Sequence, residues 1–286
     1  MTNKLQQLFT IARPISWPNT AYPFAAGYIM SGGTVDLIFI IGTLYFLGPY
    51  NLLMYGINDI FDYESDIRNP RKGGIEGAVT AKSFHSTIWQ AIIISNVPFI
   101  TALIWLGSVG SFVTLSIVLF FVVAYSIAKL RFKERPVLDS ITSSIHFVGP
   151  LVFALSLTGF TSAALPFVIA FFLWGMASHA FGAVQDIIPD RQGKLASIAT
   201  VLGARRTVLF SIVLYSAGIV IVALQGGLAY IVAGASIVYV ISIVRYLSVT
   251  DQTSDQTRPG WRRFIWLNYF IGFIVTIVLI LSRLAV

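Results

Sequence analysis

Apolar residues along the chain fall into long runs separated by short polar stretches, and the runs have the length a bilayer demands. A spanning helix takes about 20 mostly apolar residues. Nine runs meet this requirement: 15–32, 36–57, 87–106, 109–128, 137–159, 164–185, 205–224, 228–247 and 264–284. Pro18 and Pro23 predict a kink in the first of them. Ahead of it, Leu5, Leu8, Phe9 and Ala12 recur at helical spacing, which predicts a short helix lying in the membrane interface. No small-residue cleavage site follows the first apolar stretch, so no removed signal peptide is expected.

Charge sharpens this picture. Lys4 and Arg13 precede the first span, and Arg68, Arg71, Lys72 and Lys82 follow the second. Lys129, Arg131, Lys133 and Arg135 follow the fourth, Arg191, Lys194, Arg205 and Arg206 the sixth, and Arg245, Arg258, Arg262 and Arg263 the eighth. The loops after spans one, three, five and seven hold no Lys or Arg, and only Arg283 falls on their side. The positive-inside rule then places the N-terminus and the basic loops in the cytoplasm. Of the 286 residues, 56% are hydrophobic and only 11% charged, against roughly 25% charged in a soluble domain. The net charge of +7 therefore reflects topology and not a nucleic-acid-binding face. With no cysteine in the chain, disulfides, thiolate zinc sites and Cys nucleophiles are excluded.

Against so apolar a background, the stretch "NDIFDYESD" at 58–66 stands out. On a helix continued from the second span, Asn51, Tyr55, Asn58, Asp59, Asp62 and Asp66 fall within an arc of about 100°, and Glu64 points away. A helix simply emerging into water explains acids at its tip, but not polar residues deeper in the span on the same face. Such residues usually look into the bundle and mark a site. The sixth span ends similarly, with His179, Asp186 and Asp190 sharing a face, although Pro189 should kink or end the helix. Gly175 and Gly182 flank that face and permit close approach of a neighbour or ligand. "NDIFD" and "QDIIPD", four spans apart, hint at a duplicated four-helix unit, spans 1–4 and 5–8, within a single domain of residues 1–286.

Two carboxylate clusters at one membrane surface suit a hard divalent cation. Mg²⁺ takes oxygen ligands and commonly joins a few carboxylates to substrate phosphates. Arg68, Arg71, Lys72, Lys129, Arg131 and Lys194 add cations able to hold a polyanion. Other features have plainer readings. Arg131, Lys133 and Arg135 serve as topology determinants; Tyr125 and Lys129 suit an interfacial anchor pair as well as they suit a ligand role. His146 and His85 have weaker claims than His179, and Glu64 and Glu76 read as solvated.

These motifs carry a family resemblance. "NDIFDYESD" resembles the NDxxDxxxD motif of the UbiA superfamily of intramembrane prenyltransferases, "DIIPD" at 186–190 its second DxxxD motif, and "YSIAK" at 125–129 its YxxxK element. The resemblance implies an all-α polytopic bundle of nine transmembrane helices enclosing an apolar chamber capped on the cytoplasmic side. It further implies an Mg²⁺-dependent enzyme with Asp59, Asp62, Asp66, Asp186 and Asp190 as metal ligands and Lys194 aiding catalysis. Asn58, Arg68, Arg71, Lys72, Tyr125 and Lys129 would bind diphosphate; Asn51, Tyr55 and His179 would line the substrate chamber. "IRNPRKGGIEGAV", "RPISWPNTAYPF", "KLRFKERP", "FLWGMAS" and "WLNYF" are similar to the lycopene-elongase branch. That branch adds dimethylallyl units from dimethylallyl diphosphate to both ends of lycopene, with hydration or proton loss at the last step, and makes fifty-carbon carotenoids. It implies a plasma-membrane location and a downstream carotenoid cyclase as a protein partner, and no nucleic acid. Two alternatives remain open: prenyl transfer to an aromatic quinone precursor, and cation or metabolite transport, although transporter sites usually lie near the bilayer midplane.

Overall fold

The computed structural model describes residues 4–67 and 80–284. The helices are α1 (Lys4–Ile11), α2 (Pro18–Met30), α3 (Leu37–Leu47), α4 (Pro49–Phe61), α5 (Tyr63–Asp66), α6 (His85–Leu106) and α7 (Val109–Ser126). They continue with α8 (Leu138–Thr158), α9 (Leu165–Val184), α10 (Ile187–Gln192), α11 (Ile198–Leu202), α12 (Ala204–Ala223), α13 (Ala229–Val244) and α14 (Arg258–Leu284). Among the described residues, eight helical stretches are long and apolar enough to cross a bilayer, the second predicted span being α3 and α4 in series. The ninth prediction, 15–32, is filled by the shorter α2. Pro14 and Pro18 start separate helical segments there, which leaves α2 only 13 residues. The predicted interfacial helix is α1, with Leu5 and Phe9 exposed and Ile11 buried.

The chain forms two compact units: residues 1–132 with 145–161, and residues 133–144 with 162–286. The first is built around buried aromatic rings: Phe24, Tyr45, Phe46, Tyr50 and Phe153 are fully buried, with the Phe24–Phe46 and Phe46–Tyr50 centroids 5.2 and 5.0 Å apart. Pro49 cannot donate a backbone N–H, so α3 and α4 are separate helices and carbonyls near the junction need other donors. Asn51 supplies them. Its Nδ2 donates to the Phe46 and Leu47 carbonyls at 2.8 and 3.2 Å and to Thr20 Oγ1 at 2.8 Å. Thr20 in turn donates to the Phe46 carbonyl at 2.7 Å. At the other end of α3, Asp36 caps the helix by accepting from the Phe39 N–H at 2.9 Å, and it takes a second bond from the Tyr28 hydroxyl. The cap amide at the N-terminus of the helix, followed by the other hydrogen bonds, holds the Asp36 carboxyl below the usual carboxylate range.

The second unit packs α9, α12, α13 and α14. Its core holds Ala177, Phe181, Val184, Val208, Tyr215 and Tyr239, with Trp174, Trp261 and Phe264 against it. Small residues let its elements approach. A side chain at Gly175 would run into Ser144, and one at Gly182 would come within 2.9 Å of the Trp261 ring. Its outward positions carry bare apolar side chains such as Leu224, Trp266 and Leu284, as Trp105 does in the first unit, which suits helices immersed in lipid.

Candidate active site

In the first unit, the first acidic motif straddles a helix end. Asn58 and Asp59 lie in the last turn of α4, Asp62 is the residue that closes it, and α5 adds one further turn. The uninterrupted helix that placed Asp66 on the same face as Asn51 is therefore broken at Asp62. The backbone of Asp66 ends α5, and its side chain lies outside the described residues, as do Arg68, Arg71, Lys72 and Glu76 entirely.

Asp59 and Asp62 each face an arginine. Arg13 Nη2 donates to Asp59 Oδ1 at 2.7 Å, with the Asp59 side chain fully buried and Arg13 only 15% exposed. The same guanidinium lies over the Tyr55 ring, 4.2 Å from its centroid. Arg131 Nη2 reaches Asp62 Oδ1 at 3.5 Å, and its Nη1 lies 3.4 Å from the carbonyl of Phe61, the last residue of α4. Asn58 Nδ2 donates to Ser126 Oγ at 3.1 Å, tying the acidic motif to the YxxxK element. Glu64 instead pairs with Lys82, both side chains about two-thirds exposed, in keeping with its solvated reading.

The chamber and histidine expectations resolve unevenly. Asn51 is fully buried and its amide is spent on the α3–α4 break, so its side chain serves backbone satisfaction. Tyr55 carries Arg13 on its ring face. His146 packs its ring edge-on against Tyr125 at 5.0 Å, near the Phe121 carbonyl.

The second unit presents the other acids. α9 stops at Val184, Asp186 occupies the junction, and Asp190 lies in the first turn of α10 with its N–H bonded to the Asp186 carbonyl at 2.8 Å. The interruption comes just ahead of Pro189, as its chemistry requires. His179, on α9, lies 3.7 Å through Nε2 from Asp139 Oδ2. Asp139 is itself fully buried and accepts from the Ile198 and Ser140 N–H groups at 2.7 Å each. Arg191 bonds Asp251 at 2.7 Å, and Asp251 also accepts from the Ala204 N–H at 2.7 Å.

Backbone conformation adds a signal that no sequence pattern carries. Among the described residues, five non-glycines have positive φ: Arg13, Lys129, Arg131, Val137 and Lys194. Four of the five are cations, and two of these, Arg13 and Arg131, contact acids of the first motif. Left-handed conformations cost energy for side-chain-bearing residues and gather where function holds them.

The donor set fits Mg²⁺. Asp59 and Asp62 offer carboxylate oxygens at one helix end, and both already face positive charge. Among the described residues no three His, Cys, Asp or Glu side chains gather into a complete cage, and Mg²⁺ commonly takes one or two carboxylates with substrate phosphate oxygens. In the sequence Arg13 reads only as a topology determinant and Arg131 as a topology determinant or one of several cations able to hold a polyanion, while Asp139, inside the fifth predicted span, is not singled out. The Arg-Pro at 13–14, next to a kinked span, is the one cue that could have singled out Arg13.

Comparison with known proteins identifies the family. Residues 20–280 match the model of the UbiA prenyltransferase family. The chain is 48% identical over 282 residues to a lycopene elongase/hydratase of Corynebacterium glutamicum, covering 98% of both proteins. It is 33% identical over 213 residues to a lycopene elongase/hydratase of Halobacterium salinarum, covering 71% of this chain and 74% of that one. Its fold is similar to that of a UbiA homolog from Archaeoglobus fulgidus solved with DMAPP and Mg²⁺, with a TM-score of 0.66 at 17% identity over 93% of this chain and 99% of that one. With its buried acids at helix ends, its apolar exterior and a family match running nearly end to end, the chain belongs to the UbiA prenyltransferase family and is a membrane-embedded prenyltransferase.

Proposed function

We propose that the chain transfers dimethylallyl units from dimethylallyl diphosphate to the ends of lycopene and leaves hydroxylated end groups, making acyclic fifty-carbon carotenoids. The observation that carries this reading is the 48% identity, over 98% of both chains, with a protein named lycopene elongase/hydratase. Asp59, Asp62, Asp66, Asp186 and Asp190 are assigned to Mg²⁺, which when bound supplies Lewis-acid pull on the diphosphate oxygens. Asn58, Tyr125, Lys129, Arg68, Arg71, Lys72 and Lys194 are assigned to the diphosphate itself.

The chain's own residues then have definite tasks. Cations held by a left-handed backbone meet the departing diphosphate as its negative charge grows, which is electrostatic stabilisation by a preorganised site. Arg13 and Arg131 keep the first-motif carboxylates oriented before substrate arrives. Apolar helix faces keep water from the allylic cation until it has met the acceptor's terminal double bond. The distribution of loop charges supports a cytoplasmic position for the N-terminus and the acidic motifs, where a water-soluble C5 diphosphate is available.

Isolated membranes containing the protein, given lycopene, dimethylallyl diphosphate and Mg²⁺, should yield carotenoids one and two C5 units heavier. Chelation of the metal, Asp62→Ala and Asp186→Ala should each remove the product while the protein remains in the membrane. Prenylation of an aromatic acid in a parallel incubation, with lycopene untouched, would refute the acceptor assignment.

A further inference from the structure

The reaction leaves one chemical task that the metal–diphosphate residues do not perform. Addition of an allylic cation to a trisubstituted terminal alkene leaves a tertiary cation on the acceptor. Something must then take a proton from the water that captures it. The diphosphate residues cluster at helix ends. His179 lies seven residues before Asp186 on the sequence, about two turns or ~10 Å further into the span on the same stripe. It therefore sits on the hydrocarbon side of the second motif.

The chain has three histidines, and their surroundings separate them. His85 begins α6, with its ring edge-on to Tyr63. His146 is buried against Tyr125 and Phe121. His179 keeps 18% of its side chain exposed and turns Nε2 toward Asp139. Asp139 cannot swing away, because Oδ2 accepts from the Ile198 N–H and Oδ1 from the N–H and hydroxyl of Ser140. A buried carboxylate fixed by backbone donors and 3.7 Å from one imidazole nitrogen electrostatically favours the proton on that nitrogen, which makes the opposite nitrogen the basic one. Gly175, one turn earlier on α9, closes against Ser144 and holds this part of α9 close to the start of α8.

We propose that His179, positioned by Asp139, is the base that completes the hydration. This rests on the lycopene reading above. The water oxygen donates a lone pair to the tertiary carbon, forming the C–O bond. The proton of the resulting oxonium passes to His179 Nδ1, the nitrogen turned away from Asp139, while the Nε2 proton stays directed at Asp139 Oδ2. The product is a tertiary alcohol and an imidazolium that returns its proton to solvent. Without the base, the cation collapses by losing a proton from a neighbouring carbon, and the end group becomes an alkene.

The readout is the ratio of hydroxylated to olefinic end groups in the prenylated carotenoids formed from lycopene and dimethylallyl diphosphate, a quantity that loss of folded protein does not alter. A general base contributes about 10²–10⁴-fold, so His179→Gln should lower this ratio at least tenfold. Asp139→Asn should lower it in the same direction, and Asp139→Glu should recover part of it. In His179→Ala, added imidazole should raise the ratio again. An unchanged ratio in His179→Gln, or in His179→Ala with no response to imidazole, makes the histidine a packing residue and overturns the proposal. Wild-type protein that prenylates lycopene but leaves only olefinic ends overturns this inference alone. Wild-type protein that leaves lycopene unprenylated overturns the proposed function and this inference with it.

Discussion

The pair formed by Arg13 and Asp59 gives a quantitative test of how the first acidic motif is held. Replacing Arg13 by Met keeps much of the side-chain length and removes the guanidinium. The perturbation acts on a carboxylate whose side chain is fully buried, at a hydrogen bond of 2.7 Å. Removing one member of a buried ion pair costs about 3–5 kcal/mol, because the remaining charge loses its compensation. The contact with the Tyr55 ring adds about 0.5–2 kcal/mol. Arg13 retains 15% exposure, so water re-entering the gap offsets part of the loss, and we expect about 3 kcal/mol for Arg13→Met. Asp59→Asn removes the charge that the arginine serves. In the double variant the penalty for stranded charge disappears, and the coupling between the two positions should be about 2 kcal/mol. Denaturant unfolding in detergent micelles, followed by tryptophan fluorescence for wild type, both single variants and the double, gives all four corners of the cycle. Losses that add within about 0.5 kcal/mol would mean the two residues do not feel each other, and the assignment of Arg13 as the partner that orients Asp59 would fail.

Other consequences are open to simpler measurements. At Lys194, where φ is 58°, glycine should be more stable than alanine by about 1 kcal/mol, yet both variants should lose most turnover; equal thermal stabilities would remove the strain from the account. Gly175→Val should cost about 1–3 kcal/mol, since even a Cβ there would sit 3.0 Å from the Ser144 Cα, and an unshifted melting temperature would show that the two helices part freely. Asp36→Ala should lose a helix cap worth about 1 kcal/mol. Because its folded pKa is lowered, principally by the Phe39 N–H, that contribution is present above about pH 4 and fades as pH falls through the folded value. Parallel pH–stability curves for wild type and Asp36→Ala in that range would contradict it.

What the sequence revealed, and what it did not, follows from the range of the interactions involved. Spans such as α6 and α7 are legible because lipid demands a run of apolar residues whatever the partners are, and the acidic motifs are conspicuous because they interrupt such runs. The break between α3 and α4 is legible at Pro49 in hindsight, yet a hydropathy reading passes through it, since Gly48 and Pro49 do not interrupt apolarity. Asn51 shows the limit of helical projection. Its polarity deep in a span marks it as unusual, and in the structure its side-chain N–H groups serve the local backbone carbonyls. Arg13 and Asp59 are 46 residues apart, and Asp139 and Ile198 are 59 apart; no local periodicity encodes such meetings. The left-handed residues are invisible for a further reason, because Lys and Arg are not the residues that advertise such a conformation.

That mismatch between residue and backbone has a consequence for how members of this lineage can decay. At positions 13, 129, 131 and 194 the backbone by itself would favour glycine or asparagine, while the proposed chemistry demands a long cation. The two demands pull in opposite directions, so the mildest substitutions for folding are the most harmful for turnover. A descendant released from selection on catalysis would drift toward glycine or asparagine at these four positions while keeping its spans and its place in the membrane. Reading those four positions in any similar chain therefore separates a working enzyme from a folded remnant more sharply than its overall similarity does.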